Sequence, residues 1–227
     1  MPHPEKPQYS AAQNYTEVTG QCQRTESLNM ERTYPYIIGH PGGSLGSKDL
    51  KSQFGNRADI GARAEQKTAT EVLNPLCENG GATVLHDLRL HSTSRSGGSR
   101  EGNIDHVVVS GTSVFLIDTK MWQPGFYWTF SGTSRRGLTK VPHLDKGTME
   151  WARNFVEKVL SDHRVTYTIK GVYLFVWPSR DDGTSLRLYR PRGAQAILAS
   201  HGARAIGRVR PASQEIVAAL YPLVINP

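Results

Sequence analysis

The sequence predicts a mixed α/β fold, a central sheet of about four strands flanked by helices. Three observations carry that expectation. Two segments, after Asp59 and after Asp145, repeat small and apolar residues at helical spacing. Three strand-like runs lie between them. A fourth, "KGVYLFVWP", follows the second helix.

The first helix is expected in "IGARAEQKTATEVL", with Asp59 as its N-cap. Its apolar stripe is Ala62, Ala69, Val72, Leu73 and Leu76. Pro75 lacks an amide donor, so the regular turns should end or kink at Asn74. "GGATVLHDLRL" then gives a turn and a strand over 83–90, and "HSTSRSGGSREG" a polar loop. From Gly102 to Trp122, "GNIDHVVVSGTSVFLIDTKMW" reads as two apolar strands around a tight turn. "DKGTMEWARNFVEKVLSD" carries Thr148, Trp151, Ala152, Phe155, Val156, Val159 and Leu160 on one helical face. The continuous apolar run closed by Pro178 suits a strand covered on both sides. "PASQEIVAALYPL" suggests a last short helix.

Residues 1–55 are rich in Gln, Ser, Thr, Pro and Gly, and read as a poorly ordered N-terminal segment before a folded domain over 56–227. Within that segment "TYPYII" is apolar enough to dock. The apolar runs are too short to span a bilayer, and no apolar stretch follows a basic start as in a secretory signal. Cys22 and Cys77 form no metal-type cluster, which makes a reducing cytoplasm the expected setting. The net charge of +7 is uneven, since residues 1–50 hold four Lys/Arg against five Asp/Glu. The folded part is therefore basic and favours a polyanion such as nucleic acid.

The Gly102–Trp122 hairpin is greasy yet contains Asp105, Asp118 and Lys120. With Gly111-Thr112 as a two-residue type II′ loop, Val109 faces Val114, Val107 faces Leu116 and Asp105 faces Asp118. Opposed carboxylates about 5 Å apart destabilise a strand pair. Lys120, two residues beyond Asp118, shares their face. Two converging carboxylates with room for water are the usual protein share of a magnesium site. The simpler alternative is a structural Asp–Lys pair with the second carboxylate at a solvated strand end. Glu65 lies on the buried stripe of the first helix, where a carboxylate is rarely left without a partner. Its place near the helix N-terminus would alternatively serve the dipole.

The spacing Asp105–x12–Asp118–x–Lys120, behind a helix bearing Glu65, resembles the PD-(D/E)xK nuclease superfamily. More narrowly, "GNIDHVVVSGTSVFLIDTKMWQPG" is similar to the core of the nuclease-related (NERD) domain, and the likeness runs over about 61–177. The resemblance implies a restriction-endonuclease-like core and phosphodiester cleavage with Mg²⁺ or Mn²⁺. It implies that Asp105, Asp118 and the Thr119 carbonyl hold the metal. Lys120 would orient or help deprotonate the attacking water and steady the developing charge. Glu65 would hold a second ion or a water of the first. The chain departs from the family pattern in having Asp118 where Glu is frequent, Ala64 where Gly often precedes the helix Glu, and no alignable Gln in the second helix.

Other residues admit two readings. His86, His91 and His106 suggest zinc, but His106 should point away from Asp105 and pack in the core. Arg89, Arg95, Arg100, Arg135, Arg136 and Lys140 either track a phosphate backbone or are solvated loop charge. Trp122, Tyr127 and Trp128 either stack on bases or pack at an edge. The expected function is a metal-dependent nuclease acting on DNA rather than RNA, with no membrane partner. The alternative is a non-catalytic nucleic-acid-binding or scaffold domain that keeps the fold. Oligomeric state is open.

Overall fold

The computed structural model describes residues 34–43, 56–93, 99–181 and 183–227. Most of the 1–55 segment, Cys22, and Arg95 in the polar loop lie outside them. In chain order the first element is β1 (Ile37–Ile38), inside the "TYPYII" stretch, which docks in parallel beside Val84 and Leu85. Helix α1 (Asn56–Thr68) runs into a π-helical turn over Ala69–Leu73 and continues as α2 (Asn74–Gly80). The helix thus begins three residues before Asp59 and passes through Pro75 instead of stopping. Pro75 sits in the first turn of α2, and the widened turn before it accommodates the missing donor and the ring. Gly81, at φ 74°, ends the helix in the left-handed conformation.

Strands β2 (Thr83–Thr93), β3 (Ser99–Ser110) and β4 (Ser113–Trp122) follow. β2 and β3 are longer than their apolar cores, because the ends of the expected polar loop continue the ladder out to Thr93 opposite Ser99. The expected register holds from Ser110–Ser113 to His106–Ile117. Gly111 has φ 56°, the positive angle a type II′ turn needs at its first central position.

Strands β5 (Gly125–Phe130), β6 (Thr133–Arg136) and β7 (Thr139–Lys140) come next, then α3 (Thr148–Asp162) and β8 (Thr168–Pro178). The chain closes with β9 (Thr184–Leu188), β10 (Gln195–Leu198), α4 (Gly202–Ile206) and α5 (Gln214–Leu220). α5 is capped by the Ser213 hydroxyl, which accepts from the Ile216 amide. The main sheet has the order β1-β2-β3-β4-β8-β10, so the four expected strands form its centre and two short strands its edges. A second sheet, β7-β6-β5-β9, has no counterpart in the expected layout.

Alternation along the strands separates the two faces of the main sheet. Val107, Val109, Val114 and Leu116 pack with Ala152, Val156 and Leu160 of α3 and Ile216 and Val217 of α5. Val108, Phe115, Ile117, Phe175 and Trp177 pack beneath Ala64, Val72, Leu73 and Ile206. β8 is buried from Tyr173 to Trp177, as a strand covered on both faces should be. The second sheet joins the main one through Tyr127, Leu186 and Tyr189, which cluster with Leu174 and Val176 of β8. Among the described residues no helix is long and apolar enough to cross a membrane.

Candidate metal and phosphodiester site

The site lies where the main sheet forks. The β3–β4 ladder stops at His106–Ile117, while β2–β3 continues to Thr93–Ser99 and β4–β8 to Trp122–Pro178. Beyond the stop the two strand pairs part company. Asp105 stands on one side, and Asp118, Thr119 and Lys120 on the other. The cross-strand pair expected at Asp105–Asp118 is therefore the first one missing. Like charge accounts for it: the Asp105 carboxylate instead accepts the Thr119 amide at 2.6 Å.

Lys120 closes the arrangement. Its Nζ lies 2.8 Å from Asp118 Oδ2 and 4.0 Å from Asp105 Oδ2, and donates to the Thr119 carbonyl at 3.1 Å. Both acids and the lysine thus converge on one point, with Asp118 and Lys120 beside Leu174 and Val176 of β8 in the sheet. Asp105 is 3 % exposed. Burial first, and then Asp118, push its carboxyl up to about 7. Burial pulls the Lys120 ammonium down, but Asp118 and Asp105 outweigh it and hold the group above its ordinary range.

Glu65 reaches the site from α1, as its place on the buried stripe requires. It is 3 % exposed, and burial first, then Asp105, push its carboxyl up to about 9. The Gly42 amide donates to it at 2.9 Å, and the positive φ of 75° at Gly42 gives the loop after β1 the turn that presents this amide. α1 is fastened to the sheet one turn later, at Thr68. The Thr68 hydroxyl lies 3.3 Å from the Thr119 hydroxyl and accepts the Trp177 indole N–H at 2.8 Å.

Asp87 is a buried carboxylate behind the site that the sequence reading passed over. It is fully buried, has φ 55°, and drops out of the β2–β3 register between His86 and Leu88. Its charge helps to raise both Glu65 and Asp105. The signal was an Asp in the middle of "VLHDLRL", an otherwise apolar strand.

The three histidines do not gather. His86 Nδ1 and His106 Nδ1 are 2.8 Å apart on the opposite side of β3, and His86 Nε2 meets Asn74 Oδ1 at 3.1 Å. Burial, then His40, lowers His86 to about 4; burial, then His86, holds His106 well below its ordinary value. His91 pairs with Glu101 on the exposed end of the hairpin. Among the described residues no three His, Cys, Asp or Glu side chains form a ready-made metal cage. The available donors are hard oxygens: two carboxylates and the Thr119 carbonyl, which fit a magnesium-type ion that keeps several waters.

A cleft of about 1040 Å³ opens beside these groups. Glu65, Asp105 and Lys120 line one part, and Tyr127, Arg136 and Lys140 of the second sheet another. α3 contains no Gln and contributes nothing to this lining. Arg89 is engaged by Glu101, and Arg100 lies over the Trp151 ring at 4.5 Å. No curated protein and no solved structure matches the chain. The model of one family, described as the nuclease-related domain, matches residues 60–174, a span that holds Glu65, the forked hairpin and most of β8. With half of its length inside that match, the chain belongs to the nuclease-related domain (NERD) family.

Proposed function

We propose that this chain is a metal-dependent nuclease that hydrolyses DNA phosphodiester bonds, with Mg²⁺ or Mn²⁺ as cofactor. The observation that carries the reading is the convergence of Asp105, Asp118, the Thr119 carbonyl and Lys120 at the fork, where Asp105, Thr119 and Lys120 line a cleft shared with Arg136 and Lys140. Asp105, Asp118 and the Thr119 carbonyl would hold the ion, which when bound polarises a phosphoryl oxygen and acidifies water. Asp105 is fixed for this by the Thr119 amide. Lys120 would donate to a phosphate oxygen and stabilise charge as it builds. Glu65, which lines the same cleft, would hold a second ion or a water of the first.

One observation favours a second reading. The Lys120 ammonium already bonds Asp118 and the Thr119 carbonyl, so the oxygens have a cation of their own. A scaffold that binds nucleic acid without cutting it would look the same. Plasmid and linear DNA incubated with Mg²⁺ or Mn²⁺ separate the two. Wild type should cut, and Asp118→Ala and Lys120→Ala should each lower the rate by at least about a hundredfold. Intact DNA in all three reactions, with binding retained, would hand the function to the scaffold reading.

A further inference from the structure

The geometry points to the outer face of the second sheet as a binding platform for single-stranded DNA. This rests on the nuclease reading and supplies its substrate class. Side chains alternate along β5, so Phe126, Trp128 and Phe130 share one face and Tyr127 takes the other. Tyr127 is buried against β8, whereas Phe126 is 44 % and Phe130 72 % exposed. The ladders extend that outer face sideways: Trp128 pairs with Arg135 on one flank and Leu188 on the other, and Arg135 pairs with Lys140. A row of two cations, an indole and a leucine therefore crosses the sheet beneath two open phenyl rings.

Charge says what covers it. Cations placed directly opposite each other destabilise a sheet, as carboxylates do. Arg135 lies over the Trp128 ring at 5.5 Å and donates to the Leu138 carbonyl. Among the described residues neither Arg135 nor Lys140 has a carboxylate partner. The four strands hold Arg135, Arg136, Lys140 and Arg187 and no Asp or Glu, and none occurs between Gln123 and Leu144. A polyanion satisfies the cations, and flat unsaturated rings satisfy the phenyls. Aromatic side chains two residues apart on a strand stand about 7 Å from each other, a spacing for stacking successive unpaired bases. A duplex keeps its base faces inside the stack and offers only the charge. Lys140 also lines the cleft with Asp105 and Lys120, so a strand lying on the platform passes over the β7 edge toward the fork.

The test uses the full chain in EDTA, with a fluorescent oligothymidylate of about 16 nucleotides as the probe. Phe130→Ala, an exposed change that spares the core, should weaken binding between about five- and a hundredfold. Lys140→Ala should reduce the slope of log affinity against log salt by roughly 0.7. A duplex of equal length should be insensitive to Phe130→Ala. Equal affinity of wild type and Phe130→Ala for the oligonucleotide overturns the platform. So does displacement of the oligonucleotide by polyglutamate at equal charge, or a concentration-dependent dimer that Phe130→Ala abolishes. Hydrolysis of a small aryl phosphodiester keeps the two readings apart, since it needs the fork and cannot reach the sheet. If Phe130→Ala hydrolyses it normally and binds the oligonucleotide normally, the platform falls and the nuclease stands. If wild type fails on it yet binds through Phe130, the nuclease falls and the platform stands.

Discussion

A fully buried imidazole is costly to charge, and the His86–His106 pair makes that cost measurable. In the unfolded chain both rings titrate near 6.5, whereas His86 in the fold is lowered to about 4 and His106 is held well below its ordinary value. Between those values the unfolded state binds more protons, so stability rises with pH in that window. The contribution is complete above about 6.5 and is lost as pH falls toward 4, at about 1.4 kcal/mol per unit for His86. Glu65 and Asp105, raised to about 9 and about 7, act in the opposite direction over the same window, because there the folded state keeps their protons. The pair is therefore read in a difference: His86→Gln should have a lower slope of stability against pH than wild type, by up to about 1.4 kcal/mol per unit, even though it lowers the whole curve. Equal slopes in wild type and His86→Gln would contradict the buried, neutral pair. Gly42 offers a second residue-scale check. Gly42→Ala forces a side chain into the left-handed region against Ala62 at 3.1 Å, and should cost about 1–3 kcal/mol in denaturant titrations.

At the scale of elements, α3 holds one face of the sheet by Ala152, Val156 and Leu160, all fully buried. Leu160→Ala should lower stability by about 2–5 kcal/mol and leave the activity of the folded fraction unchanged, because α3 gives no residue to the cleft. Loss of activity in step with binding affinity, rather than with folded fraction, would contradict that separation. The same helix shows what the sequence reveals by itself: its period of apolar residues placed it within a few residues of its true ends. The hairpin was legible as far as His106–Ile117, since the two-residue glycine turn fixes the register, but the Asp105–Asp118 pair that the register predicts next is not formed. The second sheet was not. Its strands are short and two are edges, and β5 gains its second partner, β9, from a segment more than fifty residues away, a pairing no local pattern announces. Asp87 escaped for a related reason. Its backbone leaves the ladder at a positive φ, which periodicity treats as an ordinary strand position.

For the molecule as a whole, the positive charge concentrated after residue 50 and the fork at the sheet centre serve one reading, attraction of a polyanion to a place where a cation can be held. If Asp105 and Asp118 take up Mg²⁺, cation at about 100 times its dissociation constant stabilises the fold by about 2.7 kcal/mol. For a chain of this length that is a rise of roughly 5–10 °C in melting temperature, and Asp118→Asn should abolish it. No rise in wild type, with or without oligonucleotide, would remove the metal from the proposal.

The fork carries a mechanical consequence. Past His106 and Ile117 the backbones of β3 and β4 share no rungs, so the two halves of the sheet are stitched on one side of that point and unstitched on the other. Amides that face into the fork should trade deuterium faster than those of the sewn portion, while the outer edges of both lips stay in their ladders with β2 and β8. An ion gripped by both lips would act as a rivet, and the exchange at Thr119 and its neighbours would slow while the rest of the sheet kept its pace.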